Sequence, residues 1–148
     1  MKKLITILMV CAFVFSVLGS IAAAESFPRS WLWDTSALKM VDTSKFKKNP
    51  PYVIGFSNAS VSNSWRVYFD LQVRAEAEAQ KDLIKKFYVT DANDKPDKQI
   101  ADVEDLVAKG IDLLIISAAT SAALDPIVTR VSKMGIPVIC VDRRVKSD

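Results

Sequence analysis

Residues 103–117 and 128–142 carry one pattern twice, offset by 25 positions (Gly110 to Gly135). Val103 falls on Val128, Gly110 on Gly135, Ile111 on Ile136, Leu114 on Ile139 and Ser117 on Asp142. Each copy reads as the end of a helix, a glycine, and a short run of β-formers. Glycine closes a helix by entering the left-handed region. A helix–strand unit used in tandem leaves few folds open: parallel strands joined by right-handed crossovers. The equivalence also sets Ser117 beside Asp142, each just past the carboxyl end of its strand. In open parallel sheets, that rim is where ligands sit.

The rest of the chain supplies matching elements. Tyr52–Ser57 reads as a first strand, followed by a polar loop from Asn58 to Ser64. Trp65 to about Lys85 is rich in Ala, Glu, Gln and Lys and predicts a long helix. Phe87–Val89 predicts a second strand, and Asn93–Lys95 a turn, with Pro96 suited to a first helical turn. Ile100, Val103, Leu106 and Val107 recur at helical spacing before Gly110. Leu113–Ile116 is a third strand. Asp125 and Pro126 mark the expected start of a third helix, which Gly135 ends. Pro137–Val141 is a fourth strand, and its unbroken apolar run predicts burial on both faces. The fold class is α/β: a partial doubly wound parallel sheet of four strands and three helices over residues 52–148.

The two ends of the alphabet of functions narrow quickly. Lys2 and Lys3, the apolar run Leu4–Leu18 and the small residues Ala22–Ala24 form the three-part pattern of a secretory signal peptide over 1–24. Its apolar core is shorter than the roughly 20 residues of a spanning helix. Removing it lowers the formal charge from +3 to +1, 18 basic against 17 acidic residues. No basic patch then argues for nucleic acid. Cys140 would be the only cysteine left, which excludes an intramolecular disulfide and predicts a buried small hydrophobe. The chain has no histidine, so the commonest general base and metal ligand are missing. Residues 25–51 show no period and read as an irregular extension ending at Pro50-Pro51. Its Trp31 and Trp33 either pack on the outside of the domain or touch a partner.

The rim gathers three groups of side chains: Asn58 and Ser60; Ser62, Asn63, Ser64, Trp65 and Arg66; and Ser117, Thr120, Asp142 and Arg143. Carboxylate, guanidinium, amide and hydroxyl groups around an indole suit a neutral polyhydroxylated ligand. No nucleophile, metal or proton shuttle is needed. Each residue also has a structural reading. Asp142 and Arg143 would pair with each other, Trp65 would pack in the core, and Ser62 or Ser64 would cap the helix. Asp97, Lys98, Asp102 and Glu104 read as a solvated helix face. A dinucleotide site would need a glycine-rich turn after the first strand, and the segment following Gly55 has none.

Three stretches carry a family likeness: IGFSNASVSNSWR, TDANDKPDKQIADVEDLVAKGIDLLIIS and GIPVICVDRR. In this order and spacing, Tyr52–Asp148 resembles the start of the N-terminal lobe of periplasmic sugar-binding proteins of ABC transporters. The likeness is to the ribose-binding type, nearest its galactofuranose-binding branch. It implies a type I periplasmic binding fold, two lobes closing on a sugar as a clamp. It implies sugar contacts at Ser62, Asn63, Ser64, Trp65, Arg66, Asp142 and Arg143. Trp65-Arg66 resembles the furanose-binding branch, whereas Ser62-Asn63-Ser64 departs from both patterns. The resemblance further implies a monosaccharide ligand, a furanose or pentose, an ABC permease as membrane partner, a monomer, and export to the periplasm. It implies neither enzymatic activity nor a cofactor or metal. The alternative is a sugar-sensing module feeding a membrane kinase or chemoreceptor. Set against such two-lobed proteins, the chain reads as an N-terminal fragment that binds weakly alone.

Overall fold

The computed structural model describes residues 42–145. The expected signal peptide, Trp31, Trp33 and residues 146–148 lie outside the described residues. A 3-10 turn at Ser44–Phe46 leads into β1 (Tyr52–Asn58), α1 (Ser64–Ala79) and β2 (Ile84–Asp91). There follow α2 (Pro96–Ala108), β3 (Leu113–Ile116), α3 (Ser121–Lys133) and β4 (Val138–Cys140). The strands form one parallel sheet in the order β2-β1-β3-β4.

That order is doubly wound. From β1 the chain steps outward to β2, then returns past β1 to β3 and on to β4. Right-handed crossovers in opposite directions put helices on opposite faces. Accordingly, α2 and α3 touch each other over one face. Val103 and Leu106 of α2 cluster there with Leu124, Ile127, Val128 and Val131 of α3, above Leu114 and Ile116. Each such side chain contributes about 1.5–3 kcal/mol through burial. On the other face, Phe69 of α1 meets Phe56 of β1 edge-on, with ring centroids 5.6 Å apart. Gly55 lets α2 come close: a Cβ there would lie 3.2 Å from Ile111 and Leu106 side-chain carbons. Gly110 and Gly135 have φ of 74° and 84°, the two equivalent left-handed closures that the repeat predicts.

Four boundaries differ from expectation. The first helix ends at Ala79, not near Lys85, and β2 is eight residues long. β2 pairs with β1 along its length, and that ladder, helped by the strand preference of Ile84, outweighs the helix preference of Lys85 and Lys86. The third helix starts at Ser121, with Pro126 inside it. Leu124 is fully buried, so the turn ahead of the proline is fixed by packing. β4 spans only Val138–Cys140. It is not buried on both faces: Ile139 is 49% exposed, and Cys140 is exposed rather than buried. β4 is an edge strand, and among the described residues no strand pairs with its outer side.

Candidate functional site: the rim at the carboxyl ends of the strands

Asn63, not Ser62 or Ser64, is the N-cap of α1. Its backbone is extended, and its Oδ1 accepts the Arg66 N–H at 3.0 Å. The cap satisfies one of the free N–H groups of the first turn and fixes where Arg66 leaves the helix. Arg66 is the only buried residue of α1. Its guanidinium donates to Ser117 Oγ at 3.2 Å and to Asp142 Oδ2 at 2.9 Å. The loop after β1, the end of β3 and the turn after β4 are thereby tied by one side chain.

Trp65 is not a core residue. It is 55% exposed and lies nearly parallel to Phe69, with centroids 5.4 Å apart. Phe69 in turn abuts Phe56, so an aromatic column runs from the core to the rim. The Arg66 guanidinium lies 5.8 Å from the Trp65 ring centroid, within the range of cation–π attraction.

Asp142 and Arg143 do not pair with each other. Asp142 has φ of 66°, and the Arg143 N–H donates to Val141 O at 2.8 Å. This three-residue turn separates the two side chains. Asp142 reaches Arg66, while Arg143 donates to the carbonyls of Ala118 (3.4 Å) and Ala119. Asp142 Oδ1 has no hydrogen-bond partner among the described residues and can accept a hydroxyl. Ser62, Asn63, Ser64 and Thr120 are exposed along the same rim. Ser60 and Ser62 hydroxyls share a hydrogen bond of 2.9 Å, and Asn58 Nδ2 donates to Ser60 O at 3.0 Å. Asn58 and Ser60 are themselves buried and shape the loop from beneath.

One rim residue escapes sequence reasoning. Gln99, in the first turn of α2, is fully buried. Its Nε2 donates to Ser117 O at 2.9 Å and Ser57 Oγ at 3.2 Å, and its Oε1 accepts the Ala119 N–H at 2.8 Å. The available signal was its place on the apolar stripe, four positions before Val103 and seven before Leu106.

A groove of about 610 Å³ opens at the opposite, amino-terminal end of the sheet, between Lys45–Lys48 and Ile111–Leu113. There Asp112 accepts from Lys48 and from the Val53 N–H at 2.8 Å, and Tyr52 Oη donates to Lys48 O at 2.8 Å. Burial pushes the Asp112 carboxyl up. Its bonds to Lys48 and Val53 and the Lys48 charge outweigh that, so the net shift is downward. This clasp joins the extension to the sheet. Its polar groups are already paired, whereas the rim keeps acceptors and an indole face open.

A family model described as periplasmic binding protein domain matches residues 54–148. The ribose import binding protein of Bacillus subtilis is 35% identical over 92 residues, covering 62% of this chain and 29% of that protein. The galactofuranose-binding protein of Escherichia coli is 27% identical over 95 residues, 64% of this chain and 29% of that one. Among solved structures, the periplasmic binding protein of the arabinose ABC transporter from Shewanella sp. ANA-3, bound to L-arabinofuranose, superposes with a TM-score of 0.58. It is 31% identical and covers 65% of this chain and 31% of its own. The chain thus spans less than a third of the length of these relatives. Fold and sequence match converge, and the chain belongs to the periplasmic binding protein domain family, a family of binding proteins rather than enzymes.

Proposed function

We propose that the rim is one wall of a monosaccharide site in an exported protein serving an ABC import system. The observation that carries this reading is Arg66, buried between Ser117 and Asp142 beneath an exposed indole. The guanidinium holds the Asp142 carboxylate in place and leaves Oδ1 to accept a sugar hydroxyl. The face of Trp65 packs against the C–H face of a furanose or pentose ring. Ser62, Asn63, Ser64 and Arg143 supply the remaining polar partners around it. Nothing in this arrangement requires bond cleavage, and the names of the relatives, which refer to ribose, galactofuranose and arabinose, support the sugar class.

Only one wall is built from the described residues. A sugar held on one side makes about half of its hydrogen bonds, each contributing roughly 1 kcal/mol net. The expected affinity is therefore weak, on the order of millimolar. The test is calorimetric titration of the full chain with ribose, arabinose, galactose, fructose and myo-inositol. Trp65 fluorescence is followed in parallel in a Trp31→Phe, Trp33→Phe background. Saturable millimolar binding of a sugar that is abolished by Trp65→Ala supports the reading. No saturable binding to any of them overturns it. Export is tested by fractionation of the expressed chain, and transport by whether permease and ATPase genes flank its gene. A flanking kinase or chemoreceptor gene would instead favour sensing.

A further inference from the structure

We propose that Gln99 is the positioning residue of the rim, a single buried amide that sets where both arginines stand. Its Nε2 holds the Ser117 carbonyl at 2.9 Å, and its Oε1 holds the Ala119 N–H at 2.8 Å. Ser117 Oγ receives Arg66, and the Ala119 carbonyl receives Arg143. The segment after β3 is therefore pinned from below by Gln99 and carries both guanidinium groups from above. The third contact, to Ser57 Oγ at 3.2 Å, fixes the end of β1 to the same amide. Gln99 thus spans the crevice between β1 and β3, where the strand order reverses and ligands lodge in such sheets.

The chemistry selects glutamine. Ser117 O, Ser57 Oγ and, at 3.4 Å, Ser57 O accept from its Nε2, and the Ala119 N–H donates to its Oε1. A primary amide supplies two N–H donors and a carbonyl acceptor in one plane. A carboxylate has no proton to donate to Ser117 O or Ser57 Oγ. An apolar side chain of the same length leaves three buried groups without partners. Gln99 touches no ligand in this scheme and acts through Ser117 and Ala119. The statement about the arginines is independent of what the rim binds; its effect on affinity rests on the sugar-binding reading above.

The experiment uses the full chain labelled with 15N. In the unaltered protein, the Gln99 side-chain N–H₂ protons should exchange with solvent at least about 100-fold slower than those of exposed Gln80. Exchange at the rate of Gln80 would overturn the proposal without any variant. In Gln99→Met, the Ala119 amide should exchange at least about tenfold faster. The Arg66 and Arg143 Nε–H signals should shift or broaden, while the Leu114 and Val131 amides in the core keep their rates. Uniform acceleration of the Ala119, Leu114 and Val131 amides would reduce Gln99 to a general packing residue and overturn the proposal. Gln99→Glu should restore Ala119 protection, since it keeps an acceptor, but not the Arg66 signal; full restoration of both would also overturn it. A ribose titration of Gln99→Met is the separate arm. If ribose binds the unaltered chain, affinity should fall at least about fivefold. If ribose does not bind the unaltered chain, the sugar reading is what fails, and the arginine signals still decide the role of Gln99.

Discussion

The Arg66–Asp142 pair joins a nearly enclosed guanidinium, 6% exposed, to a carboxylate that is 30% exposed. Removing one partner from such a pair leaves a buried charge uncompensated. Asp142→Asn keeps an acceptor beside Arg66 and should lower stability by about 1–2 kcal/mol. Asp142→Ala should cost about 3 kcal/mol. Asp142→Gly should be about 1 kcal/mol less harmful than Ala, because φ at this position is positive. Urea unfolding midpoints of the three variants check the ranking; equal losses for Ala and Gly would remove the backbone contribution. Arg66 and Asp142 were both readable as rim residues from their positions after strands. Their partnership was not. Sequence adjacency suggested Asp142 with Arg143, and only the left-handed turn sends the two side chains apart. Gln99 was hidden for a related reason. It is one polar letter among Asp97, Lys98 and Asp102, and burial alone distinguishes it from a solvated face.

Close contact between α2 and β1 depends on Gly55. With Cβ contacts of 3.2 Å to Ile111 and Leu106, Gly55→Ala overfills the packing and should cost about 1–3 kcal/mol. Adding Ile111→Val removes one of the crowding methyls and should recover part of the loss. A double-mutant cycle in denaturant reads that coupling, and strict additivity would refute the crowding. The Asp112 clasp is tested by pH. Its carboxyl titrates below its ordinary range, so its contribution is complete above the unfolded carboxylate range and is lost as pH falls through the folded value. Melting temperatures of the wild type and Asp112→Asn should therefore differ at about pH 6 and converge near about pH 2. A constant difference would mean that the clasp charge is irrelevant. The repeat made two helix–glycine–strand units plain, including both glycine closures. Boundaries were less legible wherever pairing or burial competed with local preference, as at β2 and at the first turn of α3.

Taken together, the described residues form a sheet covered by α2 and α3 on one face and by α1 on the other. The rim stands at one end and the Lys48–Asp112 clasp at the other. The parallel, doubly wound character of the sheet followed from the sequence because alternating helices and strands allow little else. The exposure of β4 did not, because an apolar run looks the same whether it lies inside a sheet or at its margin. Ile139 on this edge is a template for pairing with another chain. Ile139→Lys should reduce self-association, measured by light scattering, and change the unfolding free energy by less than about 0.5 kcal/mol. Unchanged scattering would place the association elsewhere.

Cys140 shares that margin, two positions before Asp142. Its accessible thiol is a natural anchor for an environment-sensitive dye. With Cys11 changed to serine, a dye on Cys140 would sit beside Asp142, and a sugar settling on the rim as proposed would change its emission, so the exposed margin of the sheet doubles as a reporter position.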